Sequence, residues 1–467
     1  MLLVAQTLWR PTLEFTLSDW IFLVAVVILL PILFMQGKVE VPIPKPVLIG
    51  LGLILVGGLL STPGAPLPLS SLFSLIKMCY LVVIWFSLGI ILLRRTEDVQ
   101  KAMMFWGVSA GITSAAAAAQ MIWGDIIPGT SPVWGRMTGF AEHVNDLGGI
   151  TSIALVPALY VATIDGQRIW VKFCLWLTAW LILSGLVWSG SLSGMLGAAA
   201  AVFLWLVLHK RGLRHVLVLI IGGGAIVGSV HIVSTAKMEE PTALVAKVES
   251  QTADVVEPER GKSEGPTPPQ SVSDKPQLEV ANAKKMKGEE PKTESVLTEE
   301  ERFEKALLEA SKNYRVQRDE PPMLLVRLLK LKEQTLYLES LQLRFKHFQK
   351  TWESISKNIF VGVGIGPRNG SVEMGQSVHN LLLGSWYEGG LFAFLGIIIL
   401  LGAIAKIGID FIKSPVWQIR LMGISLFSAF CAFLVHGLAQ PIYYKRFQWL
   451  PALLLLTLSA IQKAKNN

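Results

Sequence analysis

His379 and Asn380 stand where a polar loop runs into a long apolar stretch, HNLLLGSWYEGG. An imidazole at such a water boundary titrates near neutrality and can take a proton from a hydroxyl as a general base. The plainer role of the same pair is a helix cap beside an interfacial histidine. Glu388 follows nine residues on, beside Gly389-Gly390. On an unbroken helix it would lie half a revolution away and about 13 Å along the axis. The two residues therefore meet only if the glycines or Ser385 distort the helix; otherwise Glu388 supports another span.

A second polar cluster reads Gly135-Arg136-Met137-Thr138-Gly139, then Glu142, His143, Asn145 and Asp146. It is either a solvated loop or a phosphate grip, in which Arg136 supplies a permanently charged fork and the glycines allow close backbone approach. Gly362, Gly364 and Gly366 form a third feature. No strand precedes them, so they are not a dinucleotide fingerprint. They predict a tight turn beside the membrane, whose N–H groups could also cup an anion. Tyr443, Tyr444, Lys445 and Arg446 make an aromatic-basic knot that reads first as an interface anchor.

The frame around these residues is apolar. Of 467 residues, 52% are hydrophobic and 16% charged, and the mean hydropathy is +0.51. A soluble domain would carry nearer a quarter charged residues. Eleven apolar runs are long enough to be spans, near 20–35, 47–62, 72–93, 103–123, 147–164, 170–188, 193–208, 215–235, 379–405, 419–440 and 447–462. The expected fold is all-α, a polytopic transmembrane helical bundle of about 11–12 spans. The net charge of +8 comes from basic residues in short loops, with no basic stripe interleaved with aromatics, so nucleic acid is not an expected partner. Cys79, Cys174 and Cys431 each sit in an apolar run without metal-ligand spacing, so neither zinc nor a disulfide is expected. The N-terminus lacks a cleavable leader pattern and is expected to stay uncleaved.

With eleven spans, Lys38, Lys45, Arg94, Arg95, Lys101, Arg168, Lys172, Lys210, Arg211, Arg214, Lys406, Lys413, Arg420, Lys463 and Lys465 fall on one side. The positive-inside rule makes that side cytoplasmic. Arg10, Arg136, Lys445 and Arg446 break the pattern, and the last three are candidates for function. The outer face then gathers WGRMTGFAEHVNDLGG, the turn SGSLSG, the segment before His379, and PIYYKRF. The expected divisions are an N-terminal bundle of about 8 spans over 1–236, a large outer loop over 237–378, and a C-terminal bundle of about 3 spans over 379–467. Within the loop, 237–300 has a disordered composition, 301–358 is helical, and 359–378 holds the glycine turn. From Pro321 onward, leucines at helical intervals alternate with Arg327, Lys330, Lys332, Arg344, Lys346 and Lys350. That helix either lies on the membrane surface or packs on the ends of the spans.

Three stretches carry a resemblance to the O-antigen ligase family, the lipid A-core:O-antigen ligases and Wzy-type (Wzy_C-like) polysaccharide polymerases. GRMTGFAEHVNDLGG resembles its Arg-x-x-Gly…Asn-x-x-Gly loop, RFKHFQKTWESISKNIFVGVGIGPRNG its loop arginine and glycine turn, and HNLLLGSWYEGGLFAFLG its His-Asn…Glu-x-Gly span opening. The resemblance implies a GT-C-like architecture in the bacterial inner membrane, with its active face periplasmic. His379 would be the base. Arg344 (or Lys346, if the register shifts by two) and Arg136 would stabilise the leaving diphosphate. Asn145, Ser191, Asn380, Glu388, Arg368 and Arg446 would line the substrate site. The implied reaction is inverting, metal-independent transfer of a glycan from a polyprenyl-diphosphate donor to lipid A-core or a growing glycan, with no cofactor and with membrane lipids as surroundings. The chain departs from the family in the turn SGSLSG, where Leu192 stands in place of an arginine. Two other functions remain open: a small-solute or anion transporter, and a non-catalytic relative.

Overall fold

The computed structural model describes residues 17–35, 42–124, 127, 136–209, 212–253, 334–366, 369, 378–440 and 444–466. Within these, residues 17–19, 30, 32–34, 81–82, 235–253, 334–344 and 466 are described by backbone alone. Among the described residues the protein is helical and has no β-strand. The helices are α1 (Leu17–Met35), α2 (Lys45–Ser61), α3 (Pro68–Cys79), α4 (Trp85–Leu92), α5 (Thr96–Trp123), α6 (Val144–Thr163), α7 (Ile169–Ser189), α8 (Leu192–Leu208), α9 (Gly212–Ala253), α10 (Gln334–Lys357), α11 (Leu381–Ile412), α12 (Trp417–Gly437) and α13 (Leu450–Asn466). A π-turn, Tyr80–Ile84, joins α3 to α4.

Each of the eleven apolar runs coincides with helix. Six helices are long and apolar enough to cross a membrane: α5, α6, α7, α9 over Gly212–Ser234, α11 and α12. The remaining runs fall on shorter helices or, as with α3 and α4, on pieces joined end to end, and α10 is not apolar. The protein is thus a helical, multi-pass type of bundle.

α6 is its axis. It packs on α5, α7, α8 and α12 and is buried around nearly its whole circumference. Burial on all sides explains why α6 shows no polar face, because it has no solvent to meet. Gly148 and Gly149 in its first turns let α8 and α12 come close; a Cβ on Gly194 of α8 would stand 2.7 Å from the Gly148 carbonyl oxygen. Small residues serve α2 and α11 in the same way, through Gly50 against Gly396 and Gly57 against Gly389 and Ala393. Between helices in lipid, such close backbone approach supplies the van der Waals contact that the hydrophobic effect does not. α9 is the opposite case, with Leu213, Leu217, Ile220 and Ile221 all exposed.

The helices alternate, so each end of the bundle has its own chemistry. One end carries the C-termini of α2, α5, α7 and α12 with the N-termini of α3, α6, α8, α11 and α13. The other carries Lys45, Arg94, Arg95, Arg168, Lys172, Lys413 and Arg420, the one-sided basic set read from the sequence.

The chain divides into two units, Met1–Thr235 with Val316–Asn467, and Ala236–Arg315. In the second unit α9 runs on to Ala253, into the stretch whose composition predicts disorder. The run TALVAKVESQTA is rich in residues that lose little freedom in a helix, and it extends the turn begun upstream. Residues 254–300 and the expected helix over 301–333 lie outside the described residues.

Candidate functional site at the polar end of the bundle

Arg136 is buried, at 9% exposure, between α6 and the turn joining α7 to α8. Its Nε donates to the Ser189 carbonyl at 2.7 Å and its Nη2 to Asn145 Oδ1 at 2.7 Å. Hydrogen bonds from a charged donor contribute on the order of 1.5–3 kcal/mol each. Gly190, at φ 56°, makes this seat: it ends α7 in the left-handed conformation, and a Cβ there would press on the Arg136 side chain. The next residue, Ser191, caps α8, its Oγ accepting from the Gly194 N–H at 3.3 Å. Ser191 also packs on Gly148 of α6. Three expected site residues, Arg136, Asn145 and Ser191, therefore come together. Leu192 follows at the head of α8 and is 43% exposed.

His143 caps α6 through Nδ1, which accepts from the Asn145 N–H at 3.1 Å. That bond defines a neutral tautomer with the proton on Nε2. The ring keeps an exposed face, yet the protein around it, chiefly by desolvation, holds its pKa below the ordinary 6.5; Asp146 pulls upward, and Lys445 and Arg136 push down. Asp146, in the first turn of α6, forms an ion pair with Lys445.

Asn380 caps α11, its Oδ1 accepting from the Leu382 and Leu383 N–H groups at 2.9 and 3.0 Å. Its Nδ2 donates to the Leu438 carbonyl just past α12. His379, half-buried beside it, thus belongs to the same end of the bundle as Arg136.

Glu388 has other partners. The helix does break at the glycine pair, with Gly390 at φ 68°, but the break falls beyond Glu388 and not between it and His379. Glu388 instead accepts hydrogen bonds from the Tyr444 hydroxyl and from the Gly366 N–H. It takes the supporting role that the sequence left open as the alternative.

The glycine turn proves to be a packing device. The break in α11 frees carbonyls, and the turn takes them: Val363 N–H donates to the Tyr387 carbonyl at 2.9 Å and Gly364 N–H to that of Glu388 at 3.0 Å. A Cβ at Gly362 would meet the Glu388 backbone, and one at Gly364 would meet Ala65. Asn369, fully buried, locks the far side by accepting from the Leu67 N–H and donating to the Ile365 carbonyl. With two N–H groups committed to α11 and a third to Glu388, this turn has little left for an anion.

Arg446 is buried at 8% exposure, not an outward anchor; its Nη1 donates to the Tyr80 hydroxyl in the π-turn at 3.1 Å, and its guanidinium lies over the Phe22 ring. The knot at 444–446 is thus drawn inward, with Tyr444 on α11, Lys445 on α6 and Arg446 on the π-turn. The signal that pointed to it was Lys445 and Arg446 standing on the side with few cations. Arg344 lies in α10, and its side chain is outside the described residues, as are Arg368 and Tyr443 altogether. Missed by sequence reasoning were Asp146 as the partner of Lys445, and His436 and Gln448, both buried against Gly149. His436 sits in an apolar stretch where a lone polar residue has no visible periodic partner, and the residues that Asp146 and Gln448 meet, Lys445 and Gly149, each lie 299 positions away in the chain.

No family model matches the chain, and no curated protein matches it.

Proposed function

We propose that this protein is an integral membrane glycosyltransferase that moves a glycan from a polyprenyl-diphosphate donor to an acceptor hydroxyl at the outer face of a bacterial plasma membrane. It would act as a ligase or as a polymerase of the same type. The observation that carries the reading is the seat of Arg136. A guanidinium held by Ser189 and Asn145 stands at the bundle end that also bears His379. Those two hydrogen bonds fix the guanidinium in place, and its permanent charge is what a phosphate oxygen would pair with.

In this mechanism His379 takes the proton of the acceptor hydroxyl, and the oxygen attacks the anomeric carbon. The bond from that carbon to the diphosphate breaks with inversion. Arg136 neutralises the charge that develops on the departing diphosphate, and Asn145 orients Arg136. Arg344 would add a second guanidinium from α10. The acceptor, as lipid A-core or a growing glycan, and the periplasmic location are part of the same proposal.

The test is surface-glycan profiling of a deletion strain complemented with variants. His379→Ala is expected to lower glycan transfer at least about 100-fold, the usual range for removing a general base. Arg136→Lys, which keeps the charge but loses the fork, is expected to be impaired as well. Loss of all capped glycan identifies a ligase, and single-unit capping identifies a polymerase. An unchanged profile in the deletion strain refutes the proposal.

A further inference from the structure

We propose that Lys445 is a second cationic group of the anion site, held by Asp146, which an incoming diphosphate displaces. This rests on reading the Arg136 end as the diphosphate site. It adds a residue that no family feature assigns.

The geometry begins with two neighbours on one helical turn. Asn145 holds Arg136, and Asp146 holds Lys445. Both cations act on the same imidazole, His143, so they share one electrostatic neighbourhood. Asp146 is nearly sealed, its side chain 5% exposed, while that of Lys445 keeps 28%. The cation therefore reaches the surface and the carboxylate does not. An anion arriving from outside meets Lys445 before it meets Asp146.

The charges decide what kind of ligand this end accepts. Arg136 and Lys445 against their neighbour Asp146 leave one net positive charge among these three groups, and the exposed Glu142 on the same loop adds a negative charge at the surface. A monoanion gains little over the internal carboxylate it must replace at Lys445. A ligand with two or more negative charges can engage both cations at once, and this is the charge of a diphosphate.

A second observation places unsatisfied polarity beside the pair. Lys445 leads the short 3-10 turn Arg446–Trp449, which carries Gln448. Gln448 is fully buried against Gly149, one turn along α6 from Asp146, and neither atom of its amide has a hydrogen-bond partner. Buried amides in native proteins rarely go unpaired without water or ligand nearby. Lys445 immediately precedes the turn that carries the unpaired amide, and its carbonyl accepts from the Gln448 N–H, so a ligand that draws Lys445 from Asp146 pulls on the element that holds Gln448.

Inorganic pyrophosphate is the probe, its binding measured by titration calorimetry on the full-length protein in detergent. Lys445→Gln is expected to weaken binding about tenfold or more, and Asp146→Asn to strengthen it about tenfold, as for close charge pairs at an interface. Lys445→Arg is expected to retain binding. If the pair only fastens the 444–449 segment to α6, Asp146→Asn leaves binding unchanged or weakens it, which overturns the proposal. Thermal melting of each variant checks that the fold is kept. Binding that is lost in Arg136→Gln but unaltered in Lys445→Gln overturns the role of Lys445 and leaves the glycosyl-transfer reading standing. No pyrophosphate binding by the unaltered protein overturns both.

Discussion

Asn380 and His143 show how much a single side chain does at the polar end. Asn380 caps α11 and bonds to the end of α12, so Asn380→Ala removes an acceptor for two N–H groups and a link between helices. A cost of about 1 kcal/mol in thermal stability is expected from the cap alone. Asn380→Asp keeps the cap and loses the link, so the difference between the two melting midpoints isolates the cap. His143 carries a pH dependence whose sign follows from its environment. Its pKa is lowered in the folded chain, so the unfolded chain binds the proton more readily. Stability is therefore expected to fall as the pH drops through and below 6.5, where protonation also removes the acceptor that caps α6. His143→Asn keeps a capping oxygen but cannot titrate. Its melting midpoint, followed over the same range, is expected to lose that part of the acid slope.

At the scale of elements, the broken helix α11 and the glycine turn are one device made from two distant stretches. Gly390 interrupts the helix in a left-handed conformation, and residues 363 and 364 take the carbonyls set free. Gly390→Ala would strain the backbone at φ 68° and press a methyl group on the Phe360 carbonyl. The strain alone costs on the order of 1–3 kcal/mol. Asn369→Ala attacks the same device from its other side, removing the acceptor of the Leu67 N–H and leaving the carbonyl of the fully buried Ile365 without its donor. A loss of about 1–3 kcal/mol is expected there. Both variants are read by thermal melting in detergent. Because Glu388 is tied to this turn through Gly366, each is also expected to loosen the Tyr444 contact.

For the whole molecule the consequence is orientation. One end of the bundle holds Arg136, Asn145, His379 and Lys445; the other holds the basic loops. If the positive-inside rule governs insertion, a cysteine in place of the exposed Glu142 reacts with a membrane-impermeant maleimide added outside intact cells. A cysteine at Arg95 or Lys413, at the basic end, stays unlabelled until the cells are opened. These variants are made in a background lacking Cys79, Cys174 and Cys431. Reversed labelling would place the proposed site in the cytoplasm and remove its access to an externally presented donor.

Much of this frame was legible in the chain itself. A span is written locally, as a run of apolar residues about as long as the bilayer is thick, and the side on which basic loops gather is a property of charge along the sequence. The Arg136–Asn145 cluster was visible for a similar reason, since its two ends are only nine positions apart in the chain. What only the tertiary structure decided were pairings between distant residues. Lys445 meets Asp146 across 299 positions, and Arg446 meets Tyr80 across 366. The Gly362–Gly366 turn could have served an anion or a helix; the break at Gly390, which leaves carbonyls needing donors, gave it to the helix. Hydrogen bonds are fixed by separation in space, and in a bundle whose chain reverses at every span, sequence distance says little about that separation.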